Sequence, residues 1–464
     1  MIPHVSRPLR AVAVAACAML AGCAQLSPDA GFNRLAQTST ERLGQAPAWN
    51  RTPEQGQASQ DRVTRLLQAD GSAGPAANRL ASADDAVQIA LINNPELQAA
   101  FAELGVAEAD LVQAGRLPNP GFSFARTHAG GDIKIERSLS LGLMRLLTMP
   151  ATARIQQRRF EQVRLSLAAR VLALAARTRQ AYYQAVAAQQ GLTYQQQVAD
   201  AADAAHELAA QMARLGNISK LDAAREQFFY GQAQASLEQA QRLAAQDKET
   251  LARLLGLAPD FALPAQLPAL PAQLDALSDV EQQALQQRLD VQAARTELEG
   301  LQGSLGLTRA TRLVNVLDLG ALRTSESGKP PEIGYEISIE IPLFDWGEAR
   351  VAKAEAIYLQ GAHKLAGAVL DARAQARLAW RQRQDAYTLA RRYRDQLLPL
   401  RQRIAEENLL RYNGMLLSVF ALLADAREQA STVNAAIDAQ RDFWIADAAL
   451  QLALNGRPTQ GTQP

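Results

Sequence analysis

Residues 151–215 contain no proline and a single glycine, Gly191. A helix over that stretch would reach on the order of 100 Å at about 1.5 Å per residue. A globular domain has no use for a helix of that length, so it must pair laterally with others, as in a coiled coil. A second stretch of the same kind follows at residues 348–413, interrupted by Pro399. Leu165, Ala168, Val171, Leu172 and Ala175 recur at three- and four-residue spacing and supply an apolar seam. The many alanines on that seam let helices approach closely. Aromatic residues make up only 5% of the chain, which argues against a chain built entirely as a membrane β-barrel with two aromatic girdles.

The long helical stretches occur twice because the chain repeats itself. Asn94-Pro95-Glu96-Leu97-Gln98-Ala99-Ala100 aligns with Arg288-Leu289-Asp290-Val291-Gln292-Ala293-Ala294, and Ala153-Arg154-Ile155 with Ala349-Arg350-Val351. Arg214-Leu215-Gly216-Asn217 aligns loosely with Arg411-Tyr412-Asn413-Gly414, and Ala224-Arg225-Glu226-Gln227 with Ala426-Arg427-Glu428-Gln429. Matches in one order at nearly constant offset point to an internal duplication. The division that follows is a first repeat at 81–256, a Pro-rich linker at 257–277, a second repeat at 278–454 and a flexible tail at 455–464. Each repeat should hold a helix (82–116 and 278–308), two strands, and a long helical hairpin closed by a glycine turn.

The strand signals carry a membrane reading. In Tyr335-Glu336-Ile337-Ser338-Ile339-Glu340-Ile341, apolar and polar residues alternate without a break. That pattern suits a strand with lipid on one side and water on the other, although an amphipathic sheet on a soluble core reads the same way one strand at a time. Residues 121–125 and 138–143 alternate similarly, and 312–321 more poorly. Open sheet edges are not tolerated in lipid, and four strands cannot close a barrel. Strands in a membrane therefore require several chains to share one barrel, and three chains would give twelve strands. Phe122, Phe124, Tyr335, Phe344 and Trp346 are the aromatics placed to sit at the membrane interface. After Pro342, Asp345 is placed to cap the next helix, with Glu348 at the capping-box position.

The first residues address the chain. Arg7 and Arg10 precede an apolar run at 11–21, too short to span a bilayer but suited to a signal peptide at 1–22. The run ends in Leu20-Ala21-Gly22-Cys23, which resembles a bacterial lipobox, with Cys23 as the acylated residue; a plain secretory signal with a chance cysteine is the alternative. Ala24 after it fits outer-membrane rather than inner-membrane retention. Residues 23–80, polar and punctuated by Pro and Gly, read as an extended arm from the lipid anchor. Beyond the signal no run of eighteen apolar residues occurs, which excludes an inner-membrane transporter of helical type.

The residues offer no catalytic chemistry. Neither a phosphate-binding loop nor a dinucleotide glycine motif nor a nucleophile elbow is present. His4, His128, His206 and His363 are scattered without a metal-ligand partner at helical spacing, and Met144 and Met149 read as side-chain filler. The reading is of a non-enzyme without cofactor or metal. With 48 Lys and Arg against 47 Asp and Glu, a nucleic-acid partner is also disfavoured.

Taken in order, the Asn94-Pro95-Glu96-Leu97 helix start, Leu117-Pro118-Asn119-Pro120 before the first strand, Ile341-Pro342-Leu343-Phe344-Asp345-Trp346-Gly347 after the fourth, and the two hairpin turns make the chain resemble the TolC-type outer-membrane factor family. Its members are exit ducts of tripartite efflux and type I secretion systems; with the lipobox, the likeness is to the lipoprotein branch that partners RND-type pumps. The resemblance implies a homotrimer whose twelve-stranded barrel in the outer membrane continues into the periplasm as an α-barrel of long antiparallel hairpins. It implies an adaptor protein at the hairpin tips, here Arg214, Leu215, Gly216, Ser219 and Asp222 in the first and Arg411, Tyr412, Gly414 and Ser418 in the second. Some members carry paired aspartates as a gate inside the second tip. This chain has only Asp425 there, with longer spacing from Gly414, so a hydrophobic closure involving Phe420 is the expectation. A lipid-anchored periplasmic coiled-coil scaffold without a pore is the alternative from another class.

Overall fold

The computed structural model describes residues 25–68 and 78–457. The signal peptide and Cys23 lie outside the described residues, as do 69–77 of the arm and 458–464 of the tail. In chain order the elements are α1 (Phe32–Leu43), α2 (Pro53–Leu67), α3 (Ala83–Asn93), α4 (Pro95–Ala114), β1 (Gly121–Ala129), β2 (Asp132–Gly142), α5 (Leu143–Arg214), α6 (Lys220–Leu255), α7 (Val280–Gln287), α8 (Leu289–Ala310), β3 (Leu317–Glu326), β4 (Glu332–Ile339), α9 (Glu348–Arg392), a π-helical turn at Tyr393–Leu397, α10 (Leu398–Asn413) and α11 (Val419–Asn455). They form two compact units. One gathers the N-terminal residues to Leu35 with Phe101–Leu167 and Asp290–Val369; the other gathers Ala36–Ala100, Ala168–Leu289 and Leu370–Pro464. No helix among the described residues is long and apolar enough to cross a membrane.

The second unit is held by α3. Its residues Ala86 to Ile92 are buried, polar Gln88 included, because Gln88 donates to the Ala46 carbonyl at 3.1 Å. At its end the Asn-Pro-Glu-Leu motif does two jobs. Asn93 Nδ2 donates to the carbonyls of Leu255 (3.1 Å) and Gly256 (2.8 Å), and Asn94 Nδ2 to that of Leu254 (3.0 Å). These are terminal carbonyls of α6 that the helix cannot satisfy itself. Asn94 Oδ1 meanwhile accepts from Leu97 N at 3.0 Å and so starts α4, with Pro95 as the first helical residue. The expected single helix at 82–116 is therefore two helices, because Asn94 adopts an extended conformation before proline. The expected helix at 278–308 is split in the same way. Arg288 repeats the backbone angles of Asn94 without a following proline, and its buried guanidinium donates to Gln375 Oε1 at 2.8 Å.

The linker between the repeats is strapped down by side chains. Tyr387 donates its hydroxyl to the carbonyls of Pro271 and Ala272 at 3.1 and 2.8 Å, and Trp444 Nε1 and Gln440 Nε2 both donate to Pro268 O. Buried Tyr387, Ala390 and Phe443 pack with Leu270 of the same segment. Tyr182 and Tyr183 stand on adjacent positions of α5, and burial pushes the Tyr183 hydroxyl up to about 12 and that of Tyr182 higher still.

Several sequence expectations need correction. The arm at 23–80 is not extended throughout, since α1 and α2 form within it; Thr52 caps α2 by accepting from Gln55 N. Helix α5 begins at Leu143 rather than 151 because β2 runs directly into it, and Pro150 lies inside the helix. The stretch 348–413 is not one helix. Pro399 lacks the N–H that a regular turn needs, and the wide π turn before it relieves the clash of its ring with the preceding turn.

Gly256 closes α6 with φ at +67°, and a Cβ there would sit 2.8 Å from the Asn93 carbonyl oxygen. Gly256→Ala should destabilise the chain by about 1–3 kcal/mol. Thermal unfolding of the detergent-solubilised protein, followed by far-ultraviolet dichroism, should show a midpoint several degrees lower; an unchanged midpoint would mean that the turn relaxes freely.

Candidate functional site

Two regions carry candidate function, one in each unit. The first is the sheet. β1 pairs with β2, β2 with β3 and β3 with β4, all antiparallel, so β1 and β4 are its edges. The register brings Phe122, Leu139, Ala321 and Tyr335 into one row, and Leu141, Leu319 and Ile337 into another on the same face. The alternating positions put Ser140, Gly320 and Glu336 in one row of the opposite face, and Glu136, Thr324 and Glu332 in another. Both faces are open. Every residue of β4 is exposed, and Phe122 and Tyr335 are 70% and 82% exposed. An apolar sheet face with no layer packed on it is not a finished soluble domain.

The third strand is Leu317–Glu326, not 312–321. Residues before it are held in a junction: Arg350 of α9 donates Nη2 to the Arg312 carbonyl at 2.9 Å and also bonds Asn315. The expected capping box at this junction is not formed. Helix α9 starts at Glu348 itself, and Asp345 accepts instead from Gly347 N at 2.8 Å, two residues on. Phe344 and Trp346 beside it are exposed, Phe344 almost completely.

The second region is the pair of hairpin turns. In the first, Arg214 ends α5, Leu215 is exposed, and Gly216 takes φ of +75°. Asn217 N donates to Met212 O at 2.8 Å and Gly216 N to Ala213 O at 3.1 Å. Ser219 then caps α6, accepting from Asp222 N at 3.1 Å, while its hydroxyl donates to the Asp222 carboxylate. The second turn has the same hydrogen-bond pattern: Leu416 N to Arg411 O at 2.8 Å, Met415 N to Tyr412 O at 2.9 Å, and Ser418 accepting from Ala421 N. The equivalent of Gly216 is thus Met415, with φ of +58°, and not Gly414, whose φ is −80°. The backbone equivalence pairs Met212 with Arg411, so the loose sequence alignment of Arg214 with Arg411 is two residues out of register.

Asp425 is not a free acid. Arg401 of α10 reaches it with Nη2 2.9 Å from Oδ1, both side chains being largely buried. The side chain of Phe420 lies outside the described residues. Sequence reasoning missed the neighbouring pair. Glu226 on α6 is nearly fully buried and lies 2.6 Å from the guanidinium of Arg427 on α11, which stacks 4.0 Å from the Phe229 ring. The signal was present in the two aligned Ala-Arg-Glu-Gln segments: the acid of the first pairs with the base of the second. No group of three or more His, Cys, Asp or Glu could hold a metal ion among the described residues.

No family model and no curated protein matches the chain. Solved structures do. The open-state outer-membrane channel MtrE of Neisseria gonorrhoeae superposes with a TM-score of 0.66 at 20% identity, over 82% of this chain and 90% of that one. The outer-membrane channel CmeC of Campylobacter jejuni gives 0.65 at 18%, over 80% and 85%. The outer-membrane protein VceC of Vibrio cholerae gives 0.66 at 17%, over 81% and 96%. This chain has their fold. The TolC-type architecture expected from the sequence, mainly helical with four strands, is the one found.

Met415 in a left-handed conformation makes the second turn improvable. Met415→Gly should stabilise it and Gly216→Ala should weaken the first turn, each by about 1 kcal/mol. Amide exchange at Leu416 and Asn217 reads the change: protection should rise about fivefold in the first variant and fall about fivefold in the second.

Proposed function

We propose that the chain is the outer-membrane exit duct of a tripartite efflux system, passing substrates delivered by an inner-membrane pump through a periplasmic adaptor. The observation that carries this reading is the four-stranded sheet with an exposed apolar face and two unpaired edges. In lipid every backbone group needs a partner within the protein, so such a sheet is stable only as part of a closed barrel. Three copies edge to edge close twelve strands, with Tyr335, Ile337 and Leu319 towards lipid and Glu136, Glu332 and Glu336 towards the lumen. The fold shared with outer-membrane channels supports the same reading.

In this arrangement the long helices α5, α6, α9, α10 and α11 continue the duct as an α-barrel. Exposed Leu215, Met415 and Leu416 offer the adaptor apolar contacts, beside Arg214, Ser219 and Asp222 in the first turn and Arg411, Tyr412 and Ser418 in the second. Since Arg401 neutralises Asp425, closure falls to an apolar group, and Phe420 is the one we assign. Cys23 anchors the chain to the outer membrane by its acyl chains. Energy comes from the pump, of RND type on the family likeness, and that pump selects the cargo.

Full-length protein extracted from outer membranes in mild detergent should scatter light as three chains and conduct after insertion into planar bilayers. A monomer without conductance would leave the lipid-anchored scaffold instead. Phe420→Ala should raise single-channel conductance in the same bilayers; an unchanged value would remove Phe420 from the gate.

A further inference from the structure

All four strands meet the helical parts of the chain at one end of the sheet, where Gly142 lies opposite Asp318 and Leu317 opposite Ile339. The flanking segments at that end are 114–120, 143–160, 307–316 and 340–353. Together they hold nine Arg or Lys residues against three acids, in a chain whose totals are 48 against 47. Segment 143–160 alone has Arg145, Arg154, Arg158 and Arg159 and no acid. The connections at the other end, 130–131 and 327–331, hold one charged residue, Lys329.

Some of these cations are already engaged. Arg158 pairs with Glu299 at 3.2 Å, Arg309 with Glu355 at 2.6 Å, and Arg350 is committed to the Arg312 carbonyl and Asn315. Arg145, Arg312 and Lys353 are different. All three are exposed, and none forms an ion pair among the described residues. They share this rim with Phe344, 98% exposed, and Trp346, 54% exposed. Aromatic rings of that kind settle at the headgroup level of a bilayer, and a nearby cation is drawn to anionic headgroups by about 1 kcal/mol.

We propose that this rim is a binding surface for anionic phospholipid headgroups of the membrane leaflet nearer the helices. The proposal rests on the reading of the sheet as membrane-spanning. Its cations are spread over segments from different strands and form no cradle for a single free phosphate. An array of phosphates in a plane is the ligand that matches, and the lone Lys329 beyond the strands gives the opposite rim no such preference.

The test uses full-length protein reconstituted in vesicles of equal phosphatidylglycerol and phosphatidylcholine, re-extracted in mild detergent, with retained lipids counted by native mass spectrometry. The wild type should retain phosphatidylglycerol in excess, and the excess should shrink between 50 and 500 mM salt, as exposed charges are screened. At about fivefold per cation, the combined Arg145→Gln, Arg312→Gln and Lys353→Gln variant should lose at least tenfold of the preference while conducting normally in phosphatidylcholine bilayers. Equal retention of both lipids by the wild type, or an unaltered preference in the variant, would overturn the lipid surface. Absence of conductance in the wild type strikes at the duct instead, so the two failures are separate readouts. If the variant does not assemble, the salt series on the wild type decides alone.

Discussion

Backbone hydrogen bonding at the two edges of the sheet is the constraint from which the rest follows. A strand at an open edge presents unpaired N–H and C=O groups, and in hydrocarbon each costs several kcal/mol. This chain has two such edges, β1 and β4, and an apolar face with nothing packed on it among the described residues. Neither is tolerable for an isolated copy. In the proposed duct the sheet is a third of a closed barrel, and edge-to-edge pairing of three copies satisfies those groups.

The duplicated sequence is used asymmetrically. Asn94 and Arg288 occupy equivalent breaks between helices, yet the first bonds the end of α6 through its amide while the second is a buried cation held by Gln375. The two hairpin turns share every backbone hydrogen bond but differ in the residue that adopts the left-handed conformation, Gly216 in one and Met415 in the other. Glu226 and Arg427 come from matching segments of the two halves and meet as a pair. Breaking a pair as buried as this leaves an uncompensated charge, so it ties α6 to α11 firmly.

Much of this was readable from the residues. Period-two alternation at 335–341 points to a strand with one apolar and one polar face, which forms at Glu332–Ile339, and the seam of Leu165, Ala168, Val171, Leu172 and Ala175 is buried as its spacing requires. The errors fell where local rules compete. Helix α5 starts upstream of Pro150, because a strand that runs straight into a helix sets its first residue. Pro399 interrupts the second long stretch, and the break takes the form of a π turn just before it. Asp345 matched a capping box by spacing, whereas the helix began at Glu348 and left it an Asx turn.

The sequence by itself determined that long helices pair along an apolar seam and which face of each strand is apolar, because periodicity acts within a few residues. Only the tertiary structure decided which charges are free. Asp425 and Glu226 are claimed by Arg401 and Arg427, while Arg145, Arg312 and Lys353 remain open to solvent at the rim of the sheet. Those partners lie 24 and 201 positions apart. An ion pair is a matter of a few ångströms in space, and no local pattern in the chain encodes it.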